Sequence, residues 1–67
     1  MNYLYENVVT EPDLNGIHTD VAASAMVDKN IGGCRWDEDS EILLVVWQNE
    51  LSADDKNILD GIVAAHS

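Results

Sequence analysis

The sequence predicts a small α+β single domain, a helix–β-hairpin–helix with an N-terminal extended arm or edge strand. Three observations carry this expectation. The run Glu41–Gln48, "EILLVVWQ", holds six consecutive apolar residues, many of them branched, between polar neighbours, as a buried strand does. The closing stretch "LSADDKNILDGIVAAHS" sets a capping serine and acidic first turn before apolar residues at helical spacing. Between "CRW" and "ILLVVW", the acidic segment "DEDS" reads as the turn of an antiparallel hairpin.

The elements follow in chain order. Residues 1–10 form the arm or edge strand, because Tyr3 to Val9 is rich in aromatic and β-branched residues; residues 11–67 form the helix-hairpin-helix domain. In "TEPD", Thr10 is placed to cap a helix, with Asp13 three residues on and Pro12 tolerated in the first turn. Leu14, Ile17, Val21, Ala22 and Ala25 then recur on one stripe, which predicts a helix from about Glu11 to Met26. Its weak point is Asn15-Gly16, a hairpin-turn dipeptide, although a mid-helix Gly costs only ~1 kcal/mol against Ala. "DKNIGG" is a loop, and the strands "CRW" and "ILLVVWQ" follow. The last helix runs from Ala53 to His66 with Ser52 as its cap, Asp54 and Asp55 in its first turn, and Ile58, Leu59, Ile62 and Val63 on one face.

Composition bounds the function. The chain has 67 residues, 46% of them hydrophobic, which fits one folded domain with a modest core that often needs support. Thirteen acids against three basic residues give a net charge of −10. A polyanion repels other polyanions, so direct nucleic-acid or membrane-surface binding is disfavoured. The N-terminal "MNYLYENVV" lacks the pattern of a signal peptide, and no run is long enough to span a bilayer. A single cysteine, Cys34, excludes an internal disulfide and reads as a small buried hydrophobe.

No catalytic, cofactor-binding or metal-ligating residue emerges. "DEDSE" begins like a calcium loop, with Asp37, Asp39 and Glu41 alternating. It then fails, because Ile42 and Gln48 stand where the loop needs Gly and Glu. His18 belongs on the polar edge of the first helix, and His66 is placed to cap C-terminal carbonyls. "IGG" leads into a strand rather than a helix N-terminus, so it is no phosphate loop. The expectation is a non-enzyme with no cofactor.

What the sequence does indicate is an interface. Along the central strand Ile42, Leu44 and Val46 share one face and Leu43, Val45 and Trp47 the other, and both sets are apolar. Two amphipathic helices cover one face; the other leaves roughly 300 Å² uncovered, a size often associated with binding. The cover is either "NYLYENVV", folding back as a third strand or lid, or a second chain. Trp47 suits a partly wet contact. The expected interface is therefore Leu43, Val45 and Trp47, with Tyr3 and Tyr5 of the arm.

The segment from Leu14 to His66 resembles small tailed-bacteriophage virion proteins, in which a strand precedes a Leu-Ser-x-x-Asp helix start and a Leu-Asp-x-Ile-Val-x-x-His ending. Leu51, Ser52, Asp55, Leu59, Asp60, Ile62, Val63 and His66 match here. The resemblance implies a structural or assembly component of a phage particle, located in the virion, acting through self-association (a homo-oligomer) or docking onto neighbouring virion proteins. The alternative is an acidic nucleic-acid-mimicking inhibitor of a host defence protein, acting in the host cytoplasm.

Overall fold

A computed structural model describes residues 1–66. Five elements follow one another: β1 (Asn2–Tyr5), α1 (Leu14–Ala23), β2 (Ile31–Asp37), β3 (Ile42–Trp47) and α2 (Ala53–His66). The strands form one antiparallel sheet in the order β1-β3-β2. The mixed α+β class holds. The element order corrects the helix–hairpin–helix description: of the two alternatives for the N-terminal segment the edge strand is the one formed, and β1 pairs with β3 to make the sheet three-stranded.

Register explains why β1 joins the sheet. Tyr3 lies opposite Val45 and Tyr5 opposite Leu43, so both tyrosines fall on the sheet face that meets the helices. Each hydroxyl then finds a partner on the α2 side. Tyr3 Oη accepts the Leu51 N–H at 2.7 Å, and Tyr5 Oη donates to Asp60 at 2.7 Å. The Lys56 ammonium pairs with Asp60 at 2.5 Å and lies 5.1 and 5.5 Å from the centres of the Tyr5 and Tyr3 rings. Burial, then the Asp60 hydrogen bond, pushes the Tyr5 hydroxyl above the ordinary tyrosine range. Burial pushes Asp60 up, but hydrogen bonds from Lys56 and Tyr5 outweigh it and hold the carboxyl below its usual range.

The helix α1 is shorter than its periodicity suggests. Asp13 is the N-cap instead of Thr10, and its Oδ1 accepts the Gly16 N–H at 2.9 Å. Ser24 ends the helix, with its own N–H and hydroxyl both turned back to the Val21 carbonyl. The Asn15-Gly16 pair is inside the helix, where Gly16 leaves room: a Cβ there would lie 2.5 Å from Asp13 Oδ2 and 2.6 Å from His66 Cε1. His66 does not cap carbonyls of its own helix. Its Nε2 meets Asp20 at 2.6 Å, and its carbonyl accepts the Asp13 N–H, so it ties α2 to α1. The helix α2 has the expected bounds, with Ser52 Oγ accepting the Asp55 N–H at 3.2 Å.

Both helices lie on the same side of the sheet. Ile17, Val21, Leu59 and Val63 meet Leu43, Val45 and Trp47 in one core, closed at its edges by Val8, Met26 and Leu51. Half-buried Cys34 and Trp36 complete the inner side of β2, where burial pushes the thiol above its usual range and Trp36 Nε1 donates to the Val8 carbonyl. Inside this core Asp55 is the one buried charged residue among those described; its carboxylate oxygens accept the N–H groups of Val27 and Asp28, each at 3.0 Å, and fasten the α1–β2 loop to the start of α2. His18 is exposed on α1, away from this core.

Candidate functional site

The two faces of β3 are assigned in reverse of the sequence expectation. Leu43 and Val45 are fully buried and Trp47 is 1% exposed, all beneath the helices. Tyr3 and Tyr5 share that covered side. Of the five residues expected at an interface, Leu43, Val45 and Trp47 therefore belong to the core, and Tyr3 and Tyr5 pack half-buried against it. The physical reason is area: Trp47 is the largest fully buried side chain, and turning it inward removes more apolar surface from water than turning in Ile42 or Val46 would. Packing outweighs the indole N–H, since Trp47 Nε1 is buried with no hydrogen-bond partner among the described residues. The Asp28 carboxyl is held below its usual range, chiefly by the Asn30 backbone N–H and then by the nearby indole.

The uncovered face belongs to the other set. Leu44 pairs with Leu4 on one side and Arg35 on the other, Ile42 pairs with Asp37, and Val46 pairs with Asn2 and Gly33. Opposed residues share a face, so Leu4, Ile42, Leu44 and Val46 form an apolar patch with Arg35 and Asp37 along one margin. Leu4 is 63% exposed. The three residues of β3 are half-buried within a layer that no helix covers. Leu4, Arg35, Asp37, Ser40, Ile42 and Leu44 also border a shallow depression of about 480 Å³ that opens to solvent.

Local structure keeps this face open. The strand β1 adds to the edge of β3 and so widens the patch without covering it. A bulge at Gly32–Gly33 restores the alternation of β2 after Ile31, so that Arg35 and Asp37 point outward and Cys34 and Trp36 inward. Gly33 sits at φ 150°, a conformation that glycine adopts without penalty, and it places no side chain over Val46. The turn from β2 to β3 is held by Asp37, whose carboxylate accepts the Asp39 N–H at 3.1 Å and the Ser40 hydroxyl at 2.9 Å. The acidic run "DEDSE" thus spends its first carboxylate on its own turn.

Charge is distributed unevenly. The outward positions of the three strands carry one base, Arg35, and one acid, Asp37. The net −10 of the chain is therefore carried elsewhere. Of the three basic side chains, Lys56 pairs with Asp60 and Lys29 donates to the Ala22 carbonyl. Arg35 has no hydrogen-bond or ion-pair partner among the described residues. An unpaired guanidinium beside the half-buried Leu44 is suited to hold a carboxylate or carbonyl brought by another molecule. No helix among the described residues is long and apolar enough to cross a membrane.

The signal for this site was present in β2. "GCRWD" alternates Cys34 and Trp36 with Arg35 and Asp37, so the charged pair marks the outer face and the β2–β3 register then marks Ile42 and Leu44. No protein-family model, curated protein or solved structure matches the chain.

Proposed function

We propose that this protein is a non-enzymatic structural or assembly component that docks through the outer face of its sheet. The observation that carries the reading is the apolar patch of Leu4, Ile42, Leu44 and Val46, which remains open after both helices and the N-terminal strand have taken their places. A polar face would serve an isolated domain better; exposed contiguous apolar surface marks sites that meet another protein. The resemblance of Leu14–His66 to small tailed-phage virion proteins supports placing the chain in a phage particle, among neighbouring virion proteins. The rival reading, a nucleic-acid mimic, needs free carboxylates along one surface. Asp55 is buried on backbone N–H groups and Asp60 is paired with Lys56 and Tyr5, which removes two carboxylates of α2 from such a surface.

The test is comigration. Wild type and Leu44→Asp are mixed with purified particle proteins and followed by light scattering. Wild type should move into the larger species and Leu44→Asp should stay behind with unchanged circular dichroism. Equal incorporation of the two would show that assembly uses some other surface, and failure of both would remove the virion assignment.

A further inference from the structure

We propose that the outer sheet face seats a second copy of this chain, stacked face to face with its strands antiparallel to the first. The inference rests on the reading of this face as a docking surface and names its occupant.

Charge placement selects the second copy. Arg35 and Asp37 stand two positions apart on β2, beside Leu44 and Ile42 respectively. Two positions along a strand are about 6.8 Å. A two-fold axis lying between the sheets, perpendicular to the strands and midway between those two levels, sets Arg35 against Asp37 of the second copy. It sets Asp37 against Arg35 of the second copy at the same time. The same axis brings Leu44 of each copy against Ile42 of the other. Stacked sheets lie about 10 Å apart, a gap that a long arginine and a short aspartate span together. The unpartnered Arg35 thereby gains a carboxylate, and the carboxylate keeps its free lone pairs beyond those used by Asp39 and Ser40. A two-fold contact of this kind must be self-complementary, and one cation plus one anion on a single strand satisfies that condition.

Net charge does not prevent the contact. Two chains of −10 repel, but the face that meets is neutral, with one base and one acid among its outward strand positions. The footprint is small. Three strands about 4.8 Å apart and roughly 20 Å long present on the order of 300 Å² in projection, well under the ~800 Å² per partner of a standard interface. The pair is therefore weak and concentration-dependent, suited to a site where many copies are held close together.

Sedimentation equilibrium of the full chain tests this at concentrations up to about 1 mM, where a millimolar Kd populates the dimer. The mass of the wild type should rise from monomer to dimer. Arg35→Glu opposes two acids across the axis and Asp37→Lys opposes two bases, so each alone should lose on the order of tenfold or more in association. An equimolar mixture of these two variants restores both opposite-charge pairs and should regain the dimer. Asp37→Asn, which keeps an acceptor for the Asp39 N–H, separates loss of charge from loss of the turn; it should weaken association while leaving circular dichroism unchanged. A wild type that stays monomeric throughout overturns the second copy as occupant, whereas comigration with particle proteins would still support docking onto a different partner. A wild-type dimer whose two charge variants fail to recover on mixing overturns the antiparallel axis.

Discussion

Removal of the Asp55 carboxylate should cost this domain a large share of its stability. Asp55 is 4% exposed and accepts two backbone N–H groups, from Val27 and Asp28, at 3.0 Å each. Hydrogen bonds to a charged group contribute about 1.5–3 kcal/mol each. Val27 is 92% exposed, so water reaches that end of the loop once the carboxylate is gone, and the low end of the range applies. The carboxylate also faces the positive end of α2, worth about 0.3–1 kcal/mol. Asp55→Ala should therefore lose about 3 kcal/mol. A chain of 67 residues at ~0.05–0.15 kcal/mol per residue has only roughly 3–10 kcal/mol in total. Asp55→Asn keeps one carbonyl oxygen and should lose about half as much. Urea denaturation followed by circular dichroism reads both values, with the slope unchanged if the transition stays two-state. A midpoint for Asp55→Ala equivalent to less than about 0.5 kcal/mol would refute the clamp and leave the α1–β2 loop without the anchor described here.

Other perturbations follow from the same contacts. Trp47→Ala should cost about 3–5 kcal/mol, because the indole fills the centre of the core, whereas Leu44→Ala should cost under about 1.5 kcal/mol; comparable losses in the two would contradict the assignment of faces. Gly33→Ala should destabilise by about 1–2 kcal/mol through its φ of 150° alone, since a Cβ there meets nothing within 4 Å, and a neutral result in thermal melting would show that the bulge relaxes freely. The neutral Tyr5 hydroxyl is favoured in the folded state, where its pKa is raised, so its contribution is complete below the ordinary tyrosine value near 10 and declines as pH rises beyond it. Tyr5→Phe should flatten that alkaline decline in a titration of the denaturation midpoint; an unchanged slope would assign the decline to other groups. Ser52→Ala should lose about 1 kcal/mol with its helix cap, and an unchanged urea midpoint would place the start of α2 elsewhere.

Local patterns carried much of this fold in the sequence, and the pairing of strands carried the rest. Ser52 and the spacing of Leu59 and Val63 specify α2 from end to end, since capping and helical periodicity act within a few residues. At α1 the periodicity extends past the real ends. Asp13 supplies the cap that Thr10 was expected to give, and Ser24 closes the helix through the Val21 carbonyl, so side-chain bonds to the backbone override the apolar stripe. The element order depends on the tyrosines of β1, whose partners Leu51 and Asp60 lie 48 and 55 residues away and cannot be paired by local reading. The candidate site depends on register. In β3 both alternating sets are apolar, so hydrophobicity alone does not say which faces inward, and a slip of one residue exchanges them. The bulge at Gly32–Gly33 and the Asp37-held turn fix that register, and Arg35 and Asp37 then mark Ile42, Leu44 and Val46 as the open side.

The claim that the outer sheet face is the surface of assembly is tested most directly by methyl-resolved NMR of the labelled protein as its concentration is raised and as purified particle proteins are added. Methyl signals of Leu4, Ile42, Leu44 and Val46 should shift or broaden together, while those of the buried Leu43 and Val45 stay in place. Movement confined to the helix side, or an outer face that remains unchanged while assembly proceeds, would contradict the account.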